Sequence, residues 1–416
     1  MAVPKNRSPR KGDRERGAPS EFEMRTVGII CECNPFHGGH QYLIDCARSA
    51  GAEAVVCVMS GCFVQRGEAA ILDAHTRAEI LLAGGADAVF ELPFPYSSAG
   101  AEFFAAAGVD ILERLGVGEL WFGSECGDIA RLTSLAKASL EPAFLQRYAE
   151  TAEGNGGTAE NYLECLCEYA GETGICLSND ILGISYLRAV LRTEAKIRPI
   201  TVLRRGTAYT SNALAAGGFP SATALRAKWR AEGLETVLPY LPTSTASIYK
   251  ALKDRPLADL VYAERAVLAG IRLMPLEQLE TVAELSGGLG NRLRQTAQTA
   301  TGYAALLSLA ATKKYPTARL QRGILFALTD IKSQDLRTSP AYVRLLAANA
   351  TGCRFLAACR KGASISIVTR KADLPNTAEA LRQAEWERRA FALYTLCFPE
   401  IRGEDALWRT PARIET

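Results

Sequence analysis

The sequence predicts an α/β fold, an open parallel sheet with helices on both faces, followed by an α-rich unit. Three observations predict it. Strand-like and helix-like segments take turns from Thr26 to about Glu125. The strand-like runs are almost continuously apolar, as expected when helices cover both faces of a sheet. From about Glu235 onward the pattern is nearly all helical, apart from a short β-like SISIVT. Alternation of the first kind brings parallel strands together through right-handed crossovers.

In chain order, TVGIICEC reads as the first strand and GHQYLIDCARSAG as the first helix. AEAVVCVM, ADAVFELP and ELWFGSE are further strands, separated by the helical patterns AAILDAHTRAEILLAGG and SAGAEFFAAAGVDILERLG. Gly51, Gly84/Gly85 and Gly116 fall just past the three helices, where a left-handed cap is commonly needed. A helical stretch from about Asp128 to Tyr169 leads to the helix SNDILGISYLRAVLR and the β-run KIRPITVLRR, which adds a strand to the sheet. SATALRAKWRAEG is a helix capped by Ser221, with Arg226 and Arg230 on one face and Leu225 and Trp229 on the other. The division that follows is a basic tail over residues 1–25, a catalytic domain over 26–234, and a mostly α-helical domain over 235–416. The chain has no internal repeat of fixed period.

With 416 residues, two or three domains are expected. Residues 1–25 carry seven basic and four acidic side chains with hardly an apolar one, so that segment is expected to be disordered. Met24, directly before the first strand, is an alternative initiator. The 48 Lys and Arg and 45 Asp and Glu therefore leave 41 of each sign in the body. A neutral body makes any nucleic-acid surface a local cluster. No apolar run is long enough to span a bilayer and the first residues lack a secretory h-region, which predicts a cytoplasmic location. The closest cysteine pairs among the 12, Cys31/Cys33 and Cys165/Cys167, have C-x-C spacing, against a zinc knuckle.

All three histidines lie within residues 37–75, and two of them form C-N-P-F-H-G-G-H at the turn between the first strand and the first helix. His37 and His40 are three apart, so in a first helical turn both rings point to one side, and Gly38 and Gly39 let the backbone approach a ligand. A helix N-terminus is an anion site, and two imidazole donors beside it suit a triphosphate. In open α/β sheets this loop lies where ligands collect. The alternative is that both rings only cap the helix. No G-x-x-x-x-G-K-[ST] loop occurs, so nucleotide binding here is not of the Walker type.

GIICECNPFHGGH, MSGCFVQRGEAAILDAHTRAE, GADAVFELP and LWFGSE, followed in the same order by SNDILGISYLRA, ITVLRRGTAY, FPSATALR and KKYPTARLQRGILFAL, resemble the tRNA(Met) cytidine acetate ligases. These are nucleotidylyltransferase-like proteins with an H-x-G-H signature, and the resemblance runs from about Val27 to the C-terminus. It implies a Rossmann-like sheet of the nucleotidylyltransferase/HUP type. It also implies a two-step reaction: acetate and ATP give acetyl-adenylate and pyrophosphate, and the acetyl group then passes to N4 of the wobble cytidine of elongator tRNA(Met). By the same resemblance His37 and His40 contact the phosphates. The surrounding loop and first helix would complete the ATP site with Ile30, Cys31, Glu32, Cys33, Asn34, Pro35, Phe36, Gly38, Gly39, Gln41, Tyr42 and Leu43. Gly123, Asn179 and Arg204 are the remaining ATP contacts so implied. On the residues alone Asn179 is equally a helix cap, and Arg204 a solvated strand-end charge.

Acetate is a poor electrophile, so the chemistry calls for donors that stabilise charge at the α-phosphorus more than for a base. Arg66, within the loop SGCFVQRGEAA, and Arg77, in the helix after it, are assigned to pyrophosphate or RNA contact. Relative to the family, Ala74 stands where a Lys is expected, Ala69 where a Pro is, and Cys33 where an aromatic is. A missing cation at Ala74 would weaken phosphate binding unless Arg77 or His75 replaces it. Mg²⁺ is expected with the pyrophosphate leaving group. Glu32, Asp73, Glu91 and Glu125 are its candidate ligands, none singled out by spacing.

Residues 313–344 hold seven basic and two acidic side chains. Lys313, Lys314, Arg319 and Arg322 are the expected tRNA contacts, on a helix capped by Thr317 with a buried stripe of Leu320, Ile324 and Leu328. Tyr315 and Tyr342 are expected to stack on unpaired bases. A solvated basic face is the alternative. Two rival functions also stay open: adenylyl transfer to a small phosphorylated cofactor precursor, which H-x-G-H alone fits, and a non-catalytic nucleotide-gated RNA binder, which the missing Lys favours.

Overall fold

A computed structural model describes residues 24–155, 159–172, 178–205, 219–408, 410 and 412–415. The expected tail therefore lies outside the described residues up to 23, as does most of the GTAY segment after Arg205. Strand β1 (Thr26–Cys31) leads into α1 (Gly38–Ser49), β2 (Ala54–Ser60), α2 (Ala74–Ala83), β3 (Ala88–Leu92), α3 (Ala101–Arg114) and β4 (Glu119–Ser124). Helices α4 (Ile129–Ala138), α5 (Pro142–Asn155), α6 (Ala159–Ala170) and α7 (Ser178–Thr193) precede β5 (Arg198–Leu203) and α8 (Ala222–Glu232). Gly51, Gly85 and Gly116 have φ of +93°, +100° and +77°, as the helix ends require.

These five strands are parallel, in the order β5-β4-β1-β2-β3. The order turns around at β1, so the carboxyl ends of β1 and β4 frame the crevice where a doubly wound sheet binds ligands. Alternation along β1 divides the core. Val27, Ile29 and Cys31 face a cluster with α1, α2 and α8, while Ile30 faces α3, α4 and α7.

Beyond α8 come α9 (Ala246–Lys250), which packs on the α1, α2 and α8 cluster, and α10 (Glu264–Leu273), α11 (Leu276–Thr281), α12 (Leu289–Thr299), α13 (Tyr303–Ala310) and α14 (Thr317–Thr329), which with α16 (Ala378–Thr395) enclose a third apolar cluster. Between α14 and α16 the chain returns to the sheet through β6 (Tyr342–Ala348), α15 (Ala350–Gly362) and β7 (Ser366–Val368), and β8 (Arg413–Ile414) follows α16. β6 lies antiparallel to β3, and β7 and β8 share its other edge. From 235 onward the described residues are mostly helical and SISIVT supplies β7, while β6 and β8 are strands that the sequence reading does not include. Residues 342–348 (YVRLLAA) have a charge at their centre and Leu and Ala around it, a composition that suits a helix. In the fold all seven are buried, and Arg344 is neutralised by Glu91 on the neighbouring strand.

Two expectations for the basic segment change as well. Tyr342 is fully buried with its hydroxyl donating to Glu387 at 2.7 Å, so no base stacks on it. Thr317 is the first helical residue rather than the cap, which is Pro316 and makes no side-chain bond. Leu320 and Ile324 are buried as expected, with Leu328 packed at the edge of the same cluster.

Candidate active site

His37 ends the turn after β1 in an extended conformation (φ −143°, ψ 176°) and caps α1. Its Nδ1 accepts from the backbone N–H of Gly39 at 3.0 Å, and His40 Nδ1 accepts from the N–H of His37 at 3.3 Å. Two imidazoles thus form a reciprocal capping box. Capping uses only the Nδ1 atoms of the two rings. An Nδ1 that accepts carries no proton, so each ring holds its proton on Nε2 and presents it as a donor. Neither Nε2 has a hydrogen-bond partner among the described residues. The ring centroids stand 4.1 Å apart.

Burial and the Arg204 charge keep both rings neutral. His37 is pushed well below its ordinary pKa by burial first, then by His40, Arg204 and Arg226. His40 is pushed down to about 4, by burial first and then Arg204. The consequence for stability has a definite sign. An unfolded chain protonates His40 near 6.5 and the folded chain only near 4, so the neutral ring's contribution is complete above pH 6.5 and is lost as pH falls toward 4. A shift of this size corresponds to about 3 kcal/mol. Urea unfolding at pH 7 and pH 5 should therefore show a larger loss of stability for the wild type than for His40→Asn, and equal losses would contradict it.

The other residues expected at the ATP site divide by what their side chains do. Cys31, Cys33, Asn34, Pro35 and Phe36 are buried, with Ile30 at the edge of burial. They can face a ligand only through the backbone. Asn34 Oδ1 accepts from Ile71 N at 2.9 Å, Gln41 Nε2 donates to Gly84 O at 2.9 Å, and Leu43 packs on the α1 cluster. Gly38 has a different use from the expected approach of a ligand: a Cβ there would lie 2.3 Å from the Phe219 ring. Tyr42 stands beside that ring, with Arg205 over its own face.

At the end of β4, Arg204 crosses Gly123, and Glu125 accepts from Asn179 Nδ2 at 2.6 Å and from Asp180 N at 3.0 Å. Asn179 is inside the first turn of α7, where it holds Glu125 rather than capping. His37, His40, Gly123, Asn179 and Arg204 therefore converge from four separate segments on the carboxyl ends of β1 and β4.

Other expectations fail on burial. Arg77 is buried and donates to the carbonyls of Glu32 (2.7 Å), Leu72 (3.0 Å) and Gly61, so it reaches neither pyrophosphate nor RNA. His75 is kept neutral by burial and the Arg344 charge, and it replaces no cation. Ala74 is buried in the α1–α2 cluster. Arg66 is half-buried, with its charge reaching Glu32. The four candidate carboxylates do not fit a metal. Glu32 accepts from Gln65 N, Asp73 caps α2, Glu91 pairs with Arg344, and Glu125 holds Asn179. Among the described residues no group of three or more His, Cys, Asp or Glu is placed to hold an ion.

Sequence reasoning missed Arg226. It is buried, donates to Asn34 O at 2.8 Å and pairs with Glu68 at 2.8 Å, tying the histidine turn to the QRG loop. That loop in turn lies on α14: Gly67 has φ +76°, and a Cβ there would lie 2.6 Å from the backbone nitrogen of Arg322. Only the helical spacing of Arg226 was visible in the sequence, since its partners are far away in the chain.

On α14, Arg322 pairs with Glu284 at 2.8 Å, and Arg319 donates to the carbonyls of Glu284 and Ser286. Both hold the turn before α12, which leaves Lys313 and Lys314 as the exposed members of the expected RNA contacts. No helix of the described residues is long and apolar enough to cross a membrane.

The sequence profile of the family described as HIGH Nucleotidyl Transferase matches residues 24–406. A tRNA(Met) cytidine acetate ligase of Syntrophotalea carbinolica is 35% identical over 405 residues, covering 91% of this chain and 96% of the relative. The chain belongs to the tRNA(Met) cytidine acetate ligase family. Its enzymes are ligases, and so is this one. A second such ligase, from Acetivibrio thermocellus, is 32% identical over 90% of this chain and 95% of its own. Two crystal structures of Thermotoga maritima TmcAL superpose with TM-scores of 0.87, without ligand, and 0.86, bound with alpha-thio ATP. Each is 28% identical and covers 94% of this chain and all of its own.

Proposed function

We propose that this chain activates acetate with ATP as acetyl-adenylate and transfers the acetyl group to N4 of the wobble cytidine of elongator tRNA(Met). The observation that carries the reading is the paired Nε2–H donors of His37 and His40 at the N-terminus of α1, beside Arg204. Neutral donors suit a reaction in which an acetate oxygen attacks the α-phosphorus and charge builds on phosphate oxygens. The backbone of residues 30–43, with Gly123, Asn179 and Arg204, would complete the ATP site. The alpha-thio ATP bound by the Thermotoga maritima relative supports nucleotide binding at this fold. Mg²⁺ would arrive on the triphosphate, since no carboxylate here is free to hold it. We assign nucleotide chemistry to the part before residue 235 and RNA contact to α10–α14 after it, in a cytoplasmic enzyme.

The test is purified protein with ATP, radiolabelled acetate and tRNA(Met). Acetate-dependent ATP–pyrophosphate exchange without tRNA, and label recovered as N4-acetylcytidine with it, are the expected results. Exchange that ignores acetate, or no label in the RNA, overturns the reading. For the RNA face, the Lys313→Ala/Lys314→Ala pair should lower tRNA affinity and flatten the slope of log K against log salt by about 1 to 2. An unchanged slope would make that face a solvated surface.

A further inference from the structure

A cavity of about 210 Å³ opens between the QRG loop, α8 and the helical part, lined by Glu68, Arg226, Arg230, Asp259, Tyr303 and Gln321. Its charges are balanced. Arg226 pairs with Glu68 at 2.8 Å and Arg230 with Asp259 at 3.1 Å, so no surplus cation is left to hold an anion such as acetate. What remains is polar and neutral. The Tyr303 hydroxyl is buried with no hydrogen-bond partner, and the Gln321 amide lies close to it without a bond of ordinary geometry. A buried hydroxyl without a partner costs free energy, which a ligand bearing acceptors would relieve.

The cavity is joined to the active site through one side chain. Arg226 holds both Glu68 at its wall and the carbonyl of Asn34, three residues before His37. A ligand whose reactive atom lies at the Glu68 end is thus beside the turn that carries the phosphate donors. The ligand must be neutral, small enough for about 210 Å³, and must offer a donor to a carboxylate and acceptors to a hydroxyl and an amide.

Cytosine has that edge: its N4 amine donates, typically to Glu or Asp, while N3 and O2 accept. We infer that this cavity receives the acceptor cytosine, flipped from its stack, with N4 at Glu68 and the N3–O2 edge at Tyr303 and Gln321. The assignment rests on the ligase reading above. In the transfer step the N4 lone pair forms a bond to the acetyl carbon of acetyl-adenylate. The bond from that carbon to the phosphate oxygen breaks, AMP leaves with the electron pair, and the N4 proton passes to the Glu68 carboxylate.

Two variants separate this site from the ATP site. Tyr303→Phe removes a hydroxyl that makes no hydrogen bond of ordinary geometry among the described residues, so the fold should tolerate it, and Gln321→Leu removes the amide at similar volume. Each should leave acetate-dependent ATP–pyrophosphate exchange unchanged and lower single-turnover acetyl transfer to tRNA(Met) by about tenfold. Transfer at the wild-type rate in the double variant overturns the assignment. So does exchange that falls together with transfer, which would put the cavity on the acetate side or in the framework. If the wild type itself shows no acetate-dependent exchange, the ligase reading fails first and takes this site with it.

Discussion

His40→Asn is expected to lower acetate-dependent ATP–pyrophosphate exchange by about 10²-fold or more. The fold should barely notice. Asn carries an acceptor near the position of the imidazole Nδ1, so the bond from the His37 N–H survives and the cap of α1 changes by no more than about 1 kcal/mol. What Asn lacks is the Nε2–H directed away from the cap. His40→Gln is the complementary change. Its amide extends to the Nε2 position, so it should keep more activity while losing the capping bond. The pair separates the two jobs of one ring, because capping predicts that Asn is the better substitute and phosphate contact that Gln is. If exchange in His40→Asn falls by less than about tenfold, the ring is a cap and nothing more.

The histidine turn was legible in the sequence because its geometry is set by neighbouring residues. Strand, turn and helix follow one another within the 24 residues from Thr26 to Ser49, and H-x-G-H sets one ring at the cap and the other in the first turn of the same helix. The parallel strands were legible for the same reason, as nearly continuous apolar runs alternating with helices closed by glycine. What escaped depends on partners distant in the chain. Arg344 hid β6 because a charge inside an apolar run reads as a surface, until Glu91, 253 residues away, neutralises it. Arg226 looked like a helix-face charge until its guanidinium met Asn34, 192 residues away. Tyr342 looked available to RNA because aromatic content says nothing of burial. Arg319 and Arg322 likewise counted as a basic footprint, although Glu284 accounts for most of what they do. Charge counts locate candidates, and only pairing decides which of them solvent or a ligand can see.

Arg77 makes that lesson quantitative, and Arg77→Met is expected to cost about 3 to 5 kcal/mol, from hydrogen bonds to a charged group worth about 1.5 to 3 each before non-additivity. The guanidinium is fully enclosed and spans three carbonyls: Leu72 before α2, Glu32 just past β1 and Gly61 just past β2. It therefore clamps the loops that leave the carboxyl ends of two adjacent strands, behind the histidine turn. Removing it strands buried acceptors, and Lys cannot reproduce a fork that donates in three directions. Urea unfolding should show the loss for Arg77→Met and most of it for Arg77→Lys. Because the clamp holds the loop proposed to begin the ATP site, the KM for ATP should rise in the surviving folded enzyme more than kcat falls. A direct phosphate contact would behave otherwise: the fold would be unaffected, and kcat would carry the whole effect.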